Sequence, residues 1–156
     1  MEREPEQQHV EAILITGIST RTKNENEQSE KTGLIPGLWQ RFFQQQLNEK
    51  ISHQVAQSPV YGVYHAYESD LCGEYTVTAG MAVTNENNSA YDSVTIAAGN
   101  YLVFRMQGDM PQSVIGAWQW VWDYFSSNTQ VTRSYTTDFE RYDGPDSVSL
   151  YIAIAT

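Results

Sequence analysis

The strongest constraint on this chain is that it carries the same order of elements twice. Residues 10–20 read as a strand, 35–50 as a helix, and 60–68 and 74–84 as two further strands. The helix opens at Pro36, whose missing N–H is not needed in a first turn, and Leu38, Trp39, Phe42, Phe43 and Leu47 recur at helical spacing. In 74–84, Tyr75, Val77, Ala79, Met81 and Val83 alternate onto one face. The second half repeats the order. A strand at 94–106 is interrupted near Gly99, and a helix opens at Asp109 and Pro111. Strands follow at 133–142 and 148–154, joined by a Gly144-Pro145 turn. Val114, Ile115, Trp118, Val121, Trp122 and Phe125 define the apolar face expected of the second helix, leaving Trp120 and Tyr124 opposite it, exposed or at a partner interface. A short motif ties the halves together: Gly37-Leu38-Trp39-Gln40 and Gly116-Ala117-Trp118-Gln119 lie 79 residues apart, each followed by an aromatic residue at Phe43 and Trp122. The expected fold is α+β. Two duplicated βαββ units, about 9–85 and 92–156, form one antiparallel sheet with two helices on one face and a groove between them. Residues 1–8 are polar and expected to fray.

Composition narrows what such a groove binds. The chain has 156 residues, enough for one domain with a core, and 12% of them are aromatic, which suits a ligand pocket as well as a core. Nine basic residues against nineteen acidic ones give a net charge of −10, and no Lys or Arg occurs between Ile51 and Phe104. Direct nucleic-acid binding needs a basic face that this middle third lacks. An acidic protein attracts cations or a basic partner. The single cysteine, Cys72, lies in a turn at 69–73 and excludes an internal disulfide; with His9, His53 and His65 it makes no metal-ligand spacing. No cofactor motif is present. No apolar run approaches the roughly 18 residues that span a bilayer, and the polar start is unlike a signal peptide, so the expected location is the cytoplasm.

Several segments together resemble the GyrI-like effector-binding domains, which are also found attached to bacterial AraC-type and MerR-type transcription regulators. The resemblance rests on residues 17–24, 35–42, 61–64, 67–70, 73–75, 96–104 with Gly108, Phe139-Glu140-Arg141-Tyr142, and 150–154. It covers most of the chain in order. Stand-alone members, including small proteins encoded on mobile cassettes, are the nearest kin it suggests. The resemblance implies a multidrug-type pocket for hydrophobic cations, with an acidic residue deep in the Phe-Glu-x-Tyr segment, here Glu140. Tyr142, Trp118, Trp122, Phe104, Phe42 and Tyr64 are placed on its aromatic wall by helix face and strand parity. The chain departs from the family where Phe125-Ser126-Ser127 stands in place of a Trp-Leu-Pro helix end, and no helix-turn-helix flanks the domain.

Strand parity argues the other way for Glu140. It shares a face with Asp138 and Thr136, while Phe139 takes the opposite one, so alternation alone puts Glu140 in solvent. Glu68 shares parity with Tyr64 and is a second acidic candidate, or a solvated hairpin end. Two other uses of the pocket stay open. One is a hydrolase of reactive electrophilic toxins, using the same glutamate with Tyr142. The other is an inhibitor that masks a basic DNA-handling partner. A protein partner or a second copy of the chain is open as well.

Overall fold

The computed structural model describes residues 4–27, 33–69, 73–85 and 90–155. Its elements are β1 (Glu6–Val10), β2 (Ile13–Lys23), α1 (Asn24–Glu27), α2 (Ile35–Gln44), α3 (Leu47–Lys50), β3 (Val60–His65), β4 (Glu74–Ala82), β5 (Asp92–Ile96), β6 (Gly99–Gln107), α4 (Gln112–Ser127), β7 (Arg133–Gly144) and β8 (Ser147–Ile154). All eight strands join one antiparallel sheet in the order β1-β6-β8-β7-β3-β4-β2-β5. The duplication is visible in that order. β2, α2, β3 and β4 form one half, β6, α4, β7 and β8 the other, and the halves meet at the β3–β7 ladder.

The expected βαββ unit is incomplete by one strand in each half. The run 10–20 divides into β1 and β2, and the run 94–106 into β5 and β6. The divided strands cross over, β1 pairing with β6 and β5 with β2. Glu6, Gln7 and Gln8, expected to fray, therefore sit in a ladder opposite Val103, Leu102 and Tyr101. These links also curve the sheet. β1 and β2 stand six strand positions apart, roughly 29 Å if the sheet were flat. Only Glu11 and Ala12 join them, a reach of about 10 Å between flanking Cα atoms. The sheet therefore bends back on itself, and its inner face becomes a dry core. Phe139 and Tyr151 stack there at 4.4 Å, with Ile15, Val63 and Tyr101 buried beside them.

The helices cover the outer face. Leu38 and Phe42 of α2 pack on Tyr75, Val77, Ala79, Met81 and Val83, so the alternation of that strand is borne out. The helix expected over 35–50 is broken: Gln46 adopts a left-handed conformation (φ 54°), and α3 restarts at Leu47. Between β2 and α2 lies α1, whose Glu27 anchors the start of α2. Its carboxylate accepts from the amides of Leu34 (2.8 Å) and Ile35 (3.1 Å) and from Thr22 Oγ1. This satisfies amides that a helix start leaves unpaired. α4 lies over β6 and β8, but rotated from the expected face. Ser113, Ala117 and Val121 are buried, and Trp120 and Tyr124 pack edge-on against Phe104 at 4.9 and 5.6 Å. Small Ala117 brings the backbone close to the sheet, and the bulky Ile115 and Trp122 are left outside. Expected turn residues Asp70, Leu71 and Cys72 lie outside the described residues.

Candidate functional site

α2 covers β2 and β4 and α4 covers β6 and β8, which leaves the central β3–β7 ladder as the floor between the helices. Glu140 stands on that floor and is 3% exposed. Alternation separates Glu140 from Phe139 as expected, yet both faces of β7 are covered, so the solvent-facing reading fails. The inner face takes Phe139 and the helix side takes Glu140.

Three neutral donors hold the Glu140 carboxylate. Tyr142 Oη donates to Oε1 at 2.8 Å; Tyr64 Oη (2.8 Å) and Trp118 Nε1 (2.7 Å) donate to Oε2. Burial pushes the carboxyl above its usual range, and the bonds from Trp118, Tyr142 and Tyr64 pull it partly back. Burial, and then the charge of Glu140, raise the hydroxyls of Tyr64 and Tyr142, so both remain donors. Among the described residues, Glu140 makes no ion pair.

A second buried acid two residues away is served differently. Asp138, fully buried, pairs with Arg133 at 2.6 Å and accepts further bonds from Tyr67 Oη and the Ala153 amide. Its countercharge comes from the same strand. The sequence reading did not single out Asp138, because the bulge between Arg133 and Asp138 that turns the arginine onto it leaves no trace in alternation.

Glu140, Tyr142, Trp118 and Tyr64 thus converge. Trp122, 44% exposed, lies one turn farther out, with its ring 6.2 Å from that of Trp118. Phe42 and Phe104 do not reach the carboxylate. Phe42 is core beneath Trp39, and Phe104 is core beneath Trp120 and Tyr124. Glu68 is exposed at the hairpin end. Two residues not placed at the site belong to it. Trp39 packs edge-on against Tyr142 at 5.3 Å, and Gly62 faces Glu140 across the ladder. A Cβ on Gly62 would lie 2.9 Å from both Glu140 Oε1 and Trp39 Cζ2. The repeated Gly-x-Trp-Gln motif already paired Trp39 with Trp118 and was the signal for it. The rings close over the carboxylate, and one open hollow, about 620 Å³, lies away from it beside Arg105, Arg141 and Asp143. No group of His, Cys, Asp and Glu among the described residues is arranged to hold a metal ion.

This duplicated strand-helix-strand-strand sheet makes the chain a GyrI-like effector-binding protein. More narrowly, residues 8–154 match the model of the integron-associated effector binding protein family, Cass2, and the chain belongs to that family. It is similar to the integron cassette protein VCH_CASS2 from the mobile metagenome of Vibrio cholerae, with 32% identity and a TM-score of 0.83 over 96% of this chain and 95% of that one. It also resembles SAV2435, solved bound to tetraphenylphosphonium, with 23% identity and a TM-score of 0.80 over 98% and 94% of the two chains. In Bacillus subtilis (strain 168), the protein named "Putative transcriptional regulator protein YobU" is 27% identical over 94% of each chain.

Proposed function

We propose that this protein binds hydrophobic organic cations between α2 and α4, with Glu140 as the countercharge and Tyr64, Tyr142, Trp39 and Trp118 as the wall. One observation carries the reading: Glu140 is a buried carboxylate held, among the described residues, only by neutral donors. An unpaired buried charge is costly, and a cationic guest supplies what the fold withholds. Desolvated aromatic faces add about 0.5–2 kcal/mol each through cation–π attraction. With apolar burial, these terms are compatible with micromolar binding, about −8 kcal/mol. The phosphonium held by SAV2435, on the same fold, is a guest of this chemistry.

Access requires the rings to part. Trp118 is the natural leaf of this gate: its indole is partly exposed and holds the carboxylate by one hydrogen bond. No helix among the described residues is long and apolar enough to cross a membrane. A cytoplasmic location goes with the reading, since a lone cysteine calls for no oxidising compartment. The output is then sequestration of the guest or a signal passed to a partner protein.

A thermal-shift screen tests the function. At a hundred times its Kd, a cation stabilises the fold by about 2.7 kcal/mol, which raises the Tm of a chain this size by about 5–10 °C. Tetraphenylphosphonium should give such a shift, and neutral triphenylphosphine oxide and anionic dodecyl sulfate below its micelle concentration should not. Equal shifts with cation and neutral compound would refute the reading.

A further inference from the structure

Ladder register and ring contacts show that the two halves build the groove as symmetric partners. Along β3–β7, Val60 faces Tyr142, Gly62 faces Glu140 and Tyr64 faces Asp138. A shift of 78 residues carries Val60 to Asp138, Gly62 to Glu140 and Tyr64 to Tyr142, and so maps the ladder onto itself with its strands exchanged. A local two-fold axis therefore passes through the Gly62–Glu140 pair. On the helices the shift is 79 residues, Trp39 to Trp118 and Phe43 to Trp122; the first half has one more residue between helix and strand.

The contacts obey the same relation. Trp39 packs on Tyr142 at 5.3 Å and Trp118 on Tyr64 at 5.0 Å, each tryptophan on the tyrosine of the other half. Phe43 extends from Trp39 at 5.9 Å and 22°, and Trp122 from Trp118 at 6.2 Å and 35°. Each tyrosine hydroxyl takes one oxygen of the carboxylate, both at 2.8 Å. Phe43 and Trp122 are both about half exposed and form the outer ends of the two walls. What departs from symmetry is the charge, for Glu140 stands where the first half has Gly62.

Resting on the cation-binding reading above, we propose that the groove is two-sided. It takes a cation whose charge lies at the centre of a frame bearing aromatic arms on both sides, one arm against Trp39 and Phe43 and the other against Trp118 and Trp122. The charge meets the carboxylate near the axis, and both walls are covered at once. An amphiphile charged at one end, seated with its head at Glu140, covers one wall and leaves the other without a guest. The same symmetry makes the two axial positions exchangeable as sites for the carboxylate, with Trp39 taking the stance that Trp118 now holds.

Isothermal titration of the full chain tests this with three probes: tetraphenylphosphonium, charged at its centre; dodecyltrimethylammonium below its micelle concentration, charged at one end; and neutral triphenylphosphine oxide. The phosphonium is expected to bind at least tenfold tighter than the end-charged cation. Phe43→Ala and Trp122→Ala, on exposed rings, should weaken the phosphonium by factors within threefold of each other. Glu140→Gly should abolish the preference for cations, and adding Gly62→Glu should restore phosphonium binding to within tenfold of wild type. Equal affinity for the two cations, loss on one wall only, or a folded double variant without binding overturns the two-sided groove. No preference for either cation over the neutral probe instead overturns the cation-binding reading beneath it. If near-UV circular dichroism shows the double variant unfolded, the two ring variants decide.

Discussion

Glu140→Gln isolates the charge of the groove with little change of shape. The amide oxygen can take the Oε2 position and keep accepting from Trp118 Nε1 and Tyr64 Oη. The amide nitrogen then falls at Oε1, where the Tyr142 hydroxyl can rotate to accept from it. Packing survives and only the countercharge is lost. A cation about 4 Å from the carboxylate gains roughly 4 kcal/mol at an effective dielectric near 20. Part of that gain is offset because the carboxylate must loosen its three existing bonds and the guest must shed water. A net loss of about 1.5–3 kcal/mol remains, a weakening of roughly ten- to a hundredfold. Titration calorimetry with tetraphenylphosphonium and triphenylphosphine oxide reads it, and the neutral compound should change less than threefold. A phosphonium affinity unchanged by the substitution, or an equal loss for both compounds, refutes the countercharge argument.

The charge also sets the pH dependence. Burial raises the folded-state pKa of Glu140 above its unfolded value, so its stabilising contribution is fully present below the usual glutamate range and is lost as pH rises through the raised folded value. Cation affinity should climb over that same interval and then level off, in titrations at stepped pH, while Glu140→Gln shows neither trend. Gly62→Ala puts a methyl 2.9 Å from Glu140 Oε1 and the Trp39 ring; chemical denaturation should show a loss of about 1–3 kcal/mol, with weaker phosphonium binding. Arg133→Ala strands the Asp138 charge in the interior and should cost about 3–5 kcal/mol in the same assay, far more than Glu140→Gln.

Much of this architecture was legible because each half states it separately. The alternation from Tyr75 to Val83 and the repeated Gly-x-Trp-Gln motif specify a strand face and a helix start. Periodicity was silent about what covers a face. Residues 139 and 140 alternate correctly, but β7 has Tyr151 on one side and Trp118 on the other, so both neighbours are buried and parity could not locate the solvent. One break was hidden for a related reason: Glu11-Ala12 carries no turn residue, and only the pairing of β1 with β6 reveals it, whereas the interruption near Gly99 was legible and separates β5 from β6. On α4, aromatics fall on every side within two turns. Ala117 and Val121, rather than the tryptophans, decide which stripe meets the sheet.

The two acids of β7 explain why a symmetric frame carries an asymmetric site. Asp138 brings its own cation and is a closed structural unit. Glu140, two residues on, has neutral donors from both halves and, among the described residues, no cation. Full symmetry would put a second glutamate at position 62, directly opposite. Cβ atoms facing one another across an antiparallel ladder are about 4.5–5.5 Å apart, so two carboxylates there would share one desolvated volume. Like charges so placed cannot both stay ionised. They would hold a proton between them, and the one remaining charge would be spread over two carboxyl groups instead of fixed on a single carboxylate. Gly62 avoids this and also clears the volume that Glu140 Oε1 and Trp39 occupy. A charge localised on one carboxylate in that volume therefore requires that one half give up its side chain, and the glycine is as much a part of the proposed cation site as the glutamate.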